Sequence, residues 1–143
     1  MTVEKFDIIL TVGCFDMLHK GHINLLREMR KIGARVDVMI HDDVSIFQNK
    51  GKFPVQYVEH RKRNLRKSEL VNYIFETKCK DPSKEIETYL NVKMHDGKKI
   101  AYMRGNDWKD FPGKEILEKY NIPIIYIDYT DDISSSMLRD EIS

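Results

Sequence analysis

The sequence predicts an α/β fold in which a doubly wound, five-stranded parallel sheet carries helices on both faces. Three observations point there. Short, apolar, β-branched runs alternate with stretches whose apolar residues recur at helical spacing. The clearest run, "FDIILTV" (6–12), is nearly all apolar, as a strand buried on both faces must be. Connections are short, and no internal repeat, low-complexity tract or linker divides the 143 residues, so 1–143 reads as a single domain.

The elements follow in order. After the first strand, Ile23, Leu26, Met29 and Ile32 mark an amphipathic helix from about Gly21 to Ile32, with Gly33 as its stop. "RVDVMI" (35–40) is the second strand, "VEHRKRNLRKS" (58–68) a helix and "LVNYIF" (70–75) the third strand. "DPSKEIETYLNV" (81–92) starts with a proline suited to a helix N-terminus and places Ile86 and Leu90 four apart. "HDGKK" is a turn and "IAYMR" (100–104) the fourth strand. "GKEILEKYN" is a helix, "IPIIYIDY" (122–129) the fifth strand and "SSSMLRDEIS" a terminal helix.

Composition excludes several function classes. With 24 basic and 23 acidic residues the net charge is +1, which provides no broad field for nucleic acid or membrane surfaces. An anionic ligand must therefore be held by local groups. No stretch approaches the roughly 18 apolar residues of a membrane span, and the N-terminus lacks the regions of a signal peptide. Cys14 and Cys79 form no CxxC pair, so reduced thiols in a cytoplasmic protein are expected.

In open α/β sheets, ligands bind beyond the carboxyl ends of the strands. Three unusual segments fall at such ends: 13–22, 104–108 and 129–136. In the first, "GCFDMLHKGH", His19 and His22 lie three apart at a helix start, where both rings can share one face. Neutral imidazoles donate N–H, the helix terminus adds backbone N–H groups, and Gly21 leaves room for close approach. This arrangement suits a polyphosphate. The plainer alternative makes one histidine a cap and leaves the other exposed. No GxGxxG follows a strand and no GxxxxGK[ST] occurs, which argues against nicotinamide enzymes and P-loop NTPases. Cys14, His19 and His22 do not match a zinc pattern. In the third segment Ser134 and Ser135 can cap a helix whose free N–H groups hold an anion.

These residues carry a resemblance. "TVGCFDMLHKGHINLLREMRKIG" is similar to the cytidylyltransferase signature, in which a strand leads into G-x-F-D-x-x-H-x-G-H. "VEHRK" (58–62), "RGNDW" (104–108) and "DDISSSMLRDEI" (131–142) continue it in order, with particular likeness to the glycerol-3-phosphate cytidylyltransferases. The resemblance implies a Rossmann-like nucleotidyltransferase that joins CTP to a small phosphorylated alcohol and releases pyrophosphate. It implies catalytic roles for His19 and His22, with a cation from Lys50 or Lys52. It implies nucleotide contacts from Gly13, Cys14, Phe15, Gly21, Arg61, Arg104, Gly105, Asp107, Trp108, Ser134 and Ser135. For Trp108 a purely structural anchor fits as well. Mg²⁺ would arrive mainly on the triphosphate, no protein metal site is expected, and a homodimer is typical of such enzymes.

Two departures stand out. Tyr129 replaces an arginine that precedes the I-S-x-x segment in the relatives, and a phenol brings no charge. The 69–98 stretch looks longer than in the short bacterial enzymes. An ATP-using adenylyltransferase of the same superfamily and a nucleotide-binding module without turnover are the competing readings. Arg104, from the neighbouring strand, can restore the missing charge; Arg104→Ala is then expected to weaken CTP binding strongly in calorimetry, and an unchanged affinity would contradict this.

Overall fold

The computed structural model describes residues 5–78, 80–105 and 111–128. Five strands form one sheet in the order β3-β2-β1-β4-β5 with every pairing parallel. The strands are β1 (Phe6–Gly13), β2 (Gly33–His41), β3 (Tyr73–Thr77), β4 (Ile100–Gly105) and β5 (Ile124–Ile127). The helices are α1 (Lys20–Ile32), α2 (Asp43–Lys50), α3 (Val58–Lys67), α4 (Ser83–His95) and α5 (Lys114–Lys119). The expected doubly wound α/β fold is therefore present.

Alternation along β1 separates two cores. Ile9 joins Leu26 and Met29 of α1 and Leu65 of α3 on one face. Ile8 and Leu10 join Ile86 and Leu90 of α4 and Leu117 of α5 on the other. Each such side chain, fully buried, contributes roughly 1.5–3 kcal/mol, so the central strand is held from both sides. The α1 face that packs inward is Leu25, Leu26 and Met29, with Ile32 at its edge. Ile23, expected on that face, is only partly buried.

The order of strands creates the ligand crevice. The chain builds outward from β1 through β2 to β3, then returns to lay β4 on the other side of β1. Registered β1–β4 pairing runs only from Ile8↔Ile100 to Leu10↔Tyr102, whereas β1–β2 pairing continues to Gly13↔Ile40. Beyond Leu10 and Tyr102, β1 and β4 carry on to Gly13 and Gly105 without pairing each other. The topological switch point thus opens at the carboxyl edge between these two strands.

Several boundaries differ from expectation, each for a local reason. The sequence shows no helix between the second strand and residue 58, yet α2 lies there. Asp42 Oδ1 accepts the Ser45 N–H at 2.7 Å as its N-cap, and Gly51 ends it at φ +74°. β3 starts at Tyr73 instead of Leu70, because Leu70 and Val71 pack on the core before the ladder begins. Asn72 then bonds Val36 through its own N–H and its side chain. α4 runs to His95, a turn past the expected end, and β5 is shorter than 122–129. The expected helix over 134–143 lies outside the described residues, as do Tyr129 and Cys79.

Gly33 ends α1 as expected, its N–H donating to Met29 O, but it does so in extended backbone (φ −127°, ψ 141°) that also opens β2, not through a left-handed cap. Its role is clearance: a Cβ there would lie 2.4 Å from Ile9 Cγ1. Gly33→Ala is therefore expected to cost about 1–3 kcal/mol by overpacking, read as a lower urea midpoint, although the backbone angles suit alanine. A neutral or stabilising effect would show that Ile9 yields freely.

Candidate active site

Residues 14–19, which lead from β1 into α1, adopt an unusual backbone path. Phe15 and Met17 both have φ of +53°, a region that costs non-glycine residues on the order of 1–3 kcal/mol. The buried Asp16 between them anchors the turn. Its carboxylate accepts the N–H groups of Val55 at 2.7 Å and Gln56 at 2.9 Å. Gln56 Oε1 accepts the Met17 N–H at 3.1 Å in return. The 55–56 segment is thereby fastened to the turn that carries the histidines.

Arg61 of α3 ties this assembly to the sheet. It is fully buried, and its guanidinium donates to Gln56 O at 2.9 Å, to Cys14 O and His41 O at 2.8 Å each, and to Asp43 Oδ1 at 2.7 Å. One planar fork thus links the ends of β1 and β2, the first turn of α2 and the 55–56 segment. The sequence places Arg61 among nucleotide contacts. The structure gives its donors protein partners below the surface, so it holds the site's elements in position.

His19 and His22 cap α1 reciprocally. His19 is the N-cap, and its Nδ1 accepts the Gly21 N–H at 3.0 Å; His22 Nδ1 accepts the His19 N–H at 3.3 Å. The rings stack with centroids 3.8 Å apart and planes 27° apart. This is a capping box made from imidazoles in place of the usual Ser and Glu. A nitrogen that accepts an N–H cannot also carry a proton, so each neutral ring is protonated on Nε2. Burial moves the His19 pKa below the ordinary 6.5, which favours that neutral form. Cap and donor roles, alternatives on sequence alone, coexist in the same two rings.

A cavity of about 230 Å³ opens at the carboxyl edge of the sheet. Gly13, Cys14, His41, Lys50, Lys80 and Arg104 are among its walls, over Tyr102 and Phe111, whose rings stack at 5.4 Å. The Arg104 guanidinium lies 4.2 Å above the Phe111 ring. Of the predicted residues, Gly13, Cys14, Lys50 and Arg104 therefore meet in one place. Lys50 is the last residue of α2, while Lys52 is exposed and does not line the cavity. His19 borders a separate depression along α1 with Lys20 and Arg27. Gly21 is buried in α1 and Gly105 ends β4. The Phe15 side chain belongs to the core and touches His22, with centroids 5.1 Å apart, so what it offers the site is its backbone turn. Asp107, Trp108, Ser134 and Ser135 lie outside the described residues.

Sequence reasoning missed His41 and Lys80. His41 Nδ1 lies 2.6 Å from Ser45 Oγ. Its pKa is lowered, chiefly by burial and then by Lys50 and Arg61, against opposing effects of Glu85 and Asp42. The available signal was position alone, the last residue of a buried strand.

Residues 10–141 match the family model described as cytidylyltransferase-like. The chain is 30% identical over 136 residues to the glycerol-3-phosphate cytidylyltransferase of Bacillus spizizenii, covering 94% of this chain and 96% of that protein. It is 29% identical over 138 residues to the bifunctional protein HldE of Hahella chejuensis, where 94% of this chain spans only 27% of the relative's length. Among solved structures, the lipopolysaccharide core biosynthesis protein of Thermoplasma volcanium superposes with a TM-score of 0.68 at 26% identity, over 88% of this chain and 99% of that one.

Two outcomes are expected. Arg61→Met should lower stability by about 3–5 kcal/mol, because Asp43 and three carbonyls lose their partner; a urea-unfolding loss under about 1 kcal/mol would contradict the positioning role. His19 and His41, both held below 6.5, favour the fold in their neutral forms. The stability they confer is complete above that value and is lost as pH falls through their folded-state pKa values. Acidification through the range below 6.5 should therefore lower the urea midpoint less in His41→Gln than in the wild type. An equal fall in both would exclude His41 from the effect.

Proposed function

The chain belongs to the cytidylyltransferase-like family of nucleotidyltransferases, and on that premise we propose that it transfers CMP from CTP to a small phosphorylated alcohol, giving a CDP-alcohol and pyrophosphate. An oxygen of the acceptor's phosphate attacks the α-phosphorus in line. The new O–P bond forms as the bond from the α-phosphorus to the bridging oxygen breaks, and pyrophosphate departs with that electron pair. No covalent enzyme intermediate is needed, so the protein's work is positioning and charge stabilisation.

The observation that carries this reading is the imidazole capping box. The Nε2–H groups of His19 and His22 donate to phosphate oxygens as negative charge builds on the bridging oxygen, beside the positive end of α1. Lys50 and Arg104 add charge from the cavity wall. Asp107, Trp108, Ser134 and Ser135 belong to the same reading as nucleotide contacts. Mg²⁺ would neutralise charge on the triphosphate. Among the described residues no three His, Cys, Asp or Glu side chains converge, and an ion carried on nucleotide oxygens and water does not require them. No described helix is long and apolar enough to cross a membrane.

The test is pyrophosphate release with Mg²⁺ and each of CTP, ATP, UTP and GTP, against a panel of phosphorylated alcohols. Acceptor-dependent release with CTP is expected, falling about 100- to 1000-fold in His19→Ala or His22→Ala. A preference for ATP would reassign the chain to adenylyl transfer, and nucleotide binding without release on any acceptor would reduce it to a binding module.

A further inference from the structure

The proposed function counts Arg104 among the cations that meet the nucleotide, and the surroundings of its guanidinium bear on how it does so. Arg104 lies near the end of β4, two positions after Tyr102. Side chains two apart along a strand share a face of the sheet. Tyr102 is buried on the face covered by α4 and α5, in the core with Ile86 and Leu117. Phe111, in the segment before α5, packs against that same core. Its ring stacks on Tyr102 with centroids 5.4 Å apart and planes only 10° apart, an offset-parallel pair. The Arg104 guanidinium carbon lies 4.2 Å from the Phe111 ring centroid. All three side chains line the cavity at the carboxyl edge, with Gly13 and Lys50.

The column runs from the buried core outward: Tyr102 supports Phe111, and Phe111 supports Arg104. The kind of support matters. Arg61 is held by a carboxylate and three carbonyls that accept from its guanidinium. A ring face holds a guanidinium differently, through its quadrupole, and engages neither the positive charge as an ion pair nor the donors in the guanidinium plane. The one bond given for those donors, from Nε to Gly105 O, is long at 3.4 Å and fixes little. Phe111 thus orients the cation without neutralising it. Orientation is what an arginine otherwise lacks, since its long side chain loses much rotamer freedom on gripping a phosphate. A guanidinium already packed on a ring has less freedom left to lose when the anion arrives.

We propose that Phe111 is a positioning residue for nucleotide binding: its ring, braced by Tyr102, presents the Arg104 guanidinium to a phosphate of the bound nucleotide. This rests on the transferase reading and adds to it a residue that acts through Arg104 and not by touching the substrate.

The test combines NMR of the free protein with calorimetry of α,β-methylene-CTP and α,β-methylene-ATP. The variants are Phe111→Leu, which keeps an apolar side chain but removes the ring face, Phe111→Tyr, which keeps the ring, Arg104→Met, and Phe111→Leu combined with Arg104→Met. Thermal unfolding confirms that each is folded. In the wild type the Arg104 Hε resonance should be moved upfield by the ring current; Phe111→Leu should return it to the ordinary arginine position and Phe111→Tyr should not. Phe111→Leu should weaken the better-bound analogue by about 2- to 30-fold, the range of a cation on a ring face, and Phe111→Tyr should stay close to the wild type. In the Arg104→Met background Phe111→Leu should have no further effect, whereas a merely structural role would show the same loss there. A wild-type Arg104 resonance without the shift, undiminished binding in Phe111→Leu, or a loss that persists without Arg104 would overturn the inference and leave the transferase reading in place. Failure of both analogues to bind the wild type would sink the transferase reading, and the nucleotide role of Phe111 with it, even with the shift present.

Discussion

The buried guanidinium of Arg61 is the interaction on which the carboxyl edge of this sheet depends. A cation with no exposure is tolerable only when its donors are met, and here a carboxylate and three carbonyls meet them. Those partners belong to the ends of β1 and β2, the start of α2 and the 55–56 segment. Each would otherwise be an independent loop end. Because one rigid fork contacts all of them, Cys14, His41 and the base of α2 are set relative to one another before any ligand arrives. Asp16 extends the same fastening to the strained turn ahead of α1.

The chemistry follows from that rigidity. His19 and His22 use their Nδ1 atoms to satisfy N–H groups at the start of α1, needs that every helix has. That commitment decides where the remaining proton sits. An imidazole capped in this way is a donor of known direction, placed where the helix dipole is positive and where the main chain is already held. Preorganised donors of this kind stabilise developing charge without further rearrangement, which is the largest contribution available to an enzyme that forms no covalent intermediate.

Much of this was legible in the sequence. The two-sided burial of β1 and the helical spacing in α1 gave the alternation from which a parallel sheet follows, and the H-x-G-H spacing located the histidines on one face. What escaped detection depended on partners distant in sequence. Arg61 was singled out by the resemblance alone, because nothing local in a basic run distinguishes a solvated arginine from one whose fork spans 14, 41, 43 and 56. His41 and Lys80 gain meaning only when β2 and the segment after β3 are brought to the same cavity. Gly33 was read as the end of α1, which it is, but its clearance of Ile9 is a cross-strand matter that no local pattern shows. The helix α2 was the exception: Asp42 and Gly51 framed it at cap positions, but its few apolar residues showed too weak a stripe to be noticed.

The central claim is that the two histidines are neutral and protonated on Nε2. Long-range ¹H–¹⁵N NMR of the imidazole rings at neutral pH tests it most directly, with His19→Gln and His22→Gln assigning the signals. The account predicts that both residues show a pyridine-like Nδ1 and a protonated Nε2. A proton on Nδ1 of either ring, or an imidazolium pattern, would contradict it, because the reciprocal cap could not then form and the donors would point elsewhere.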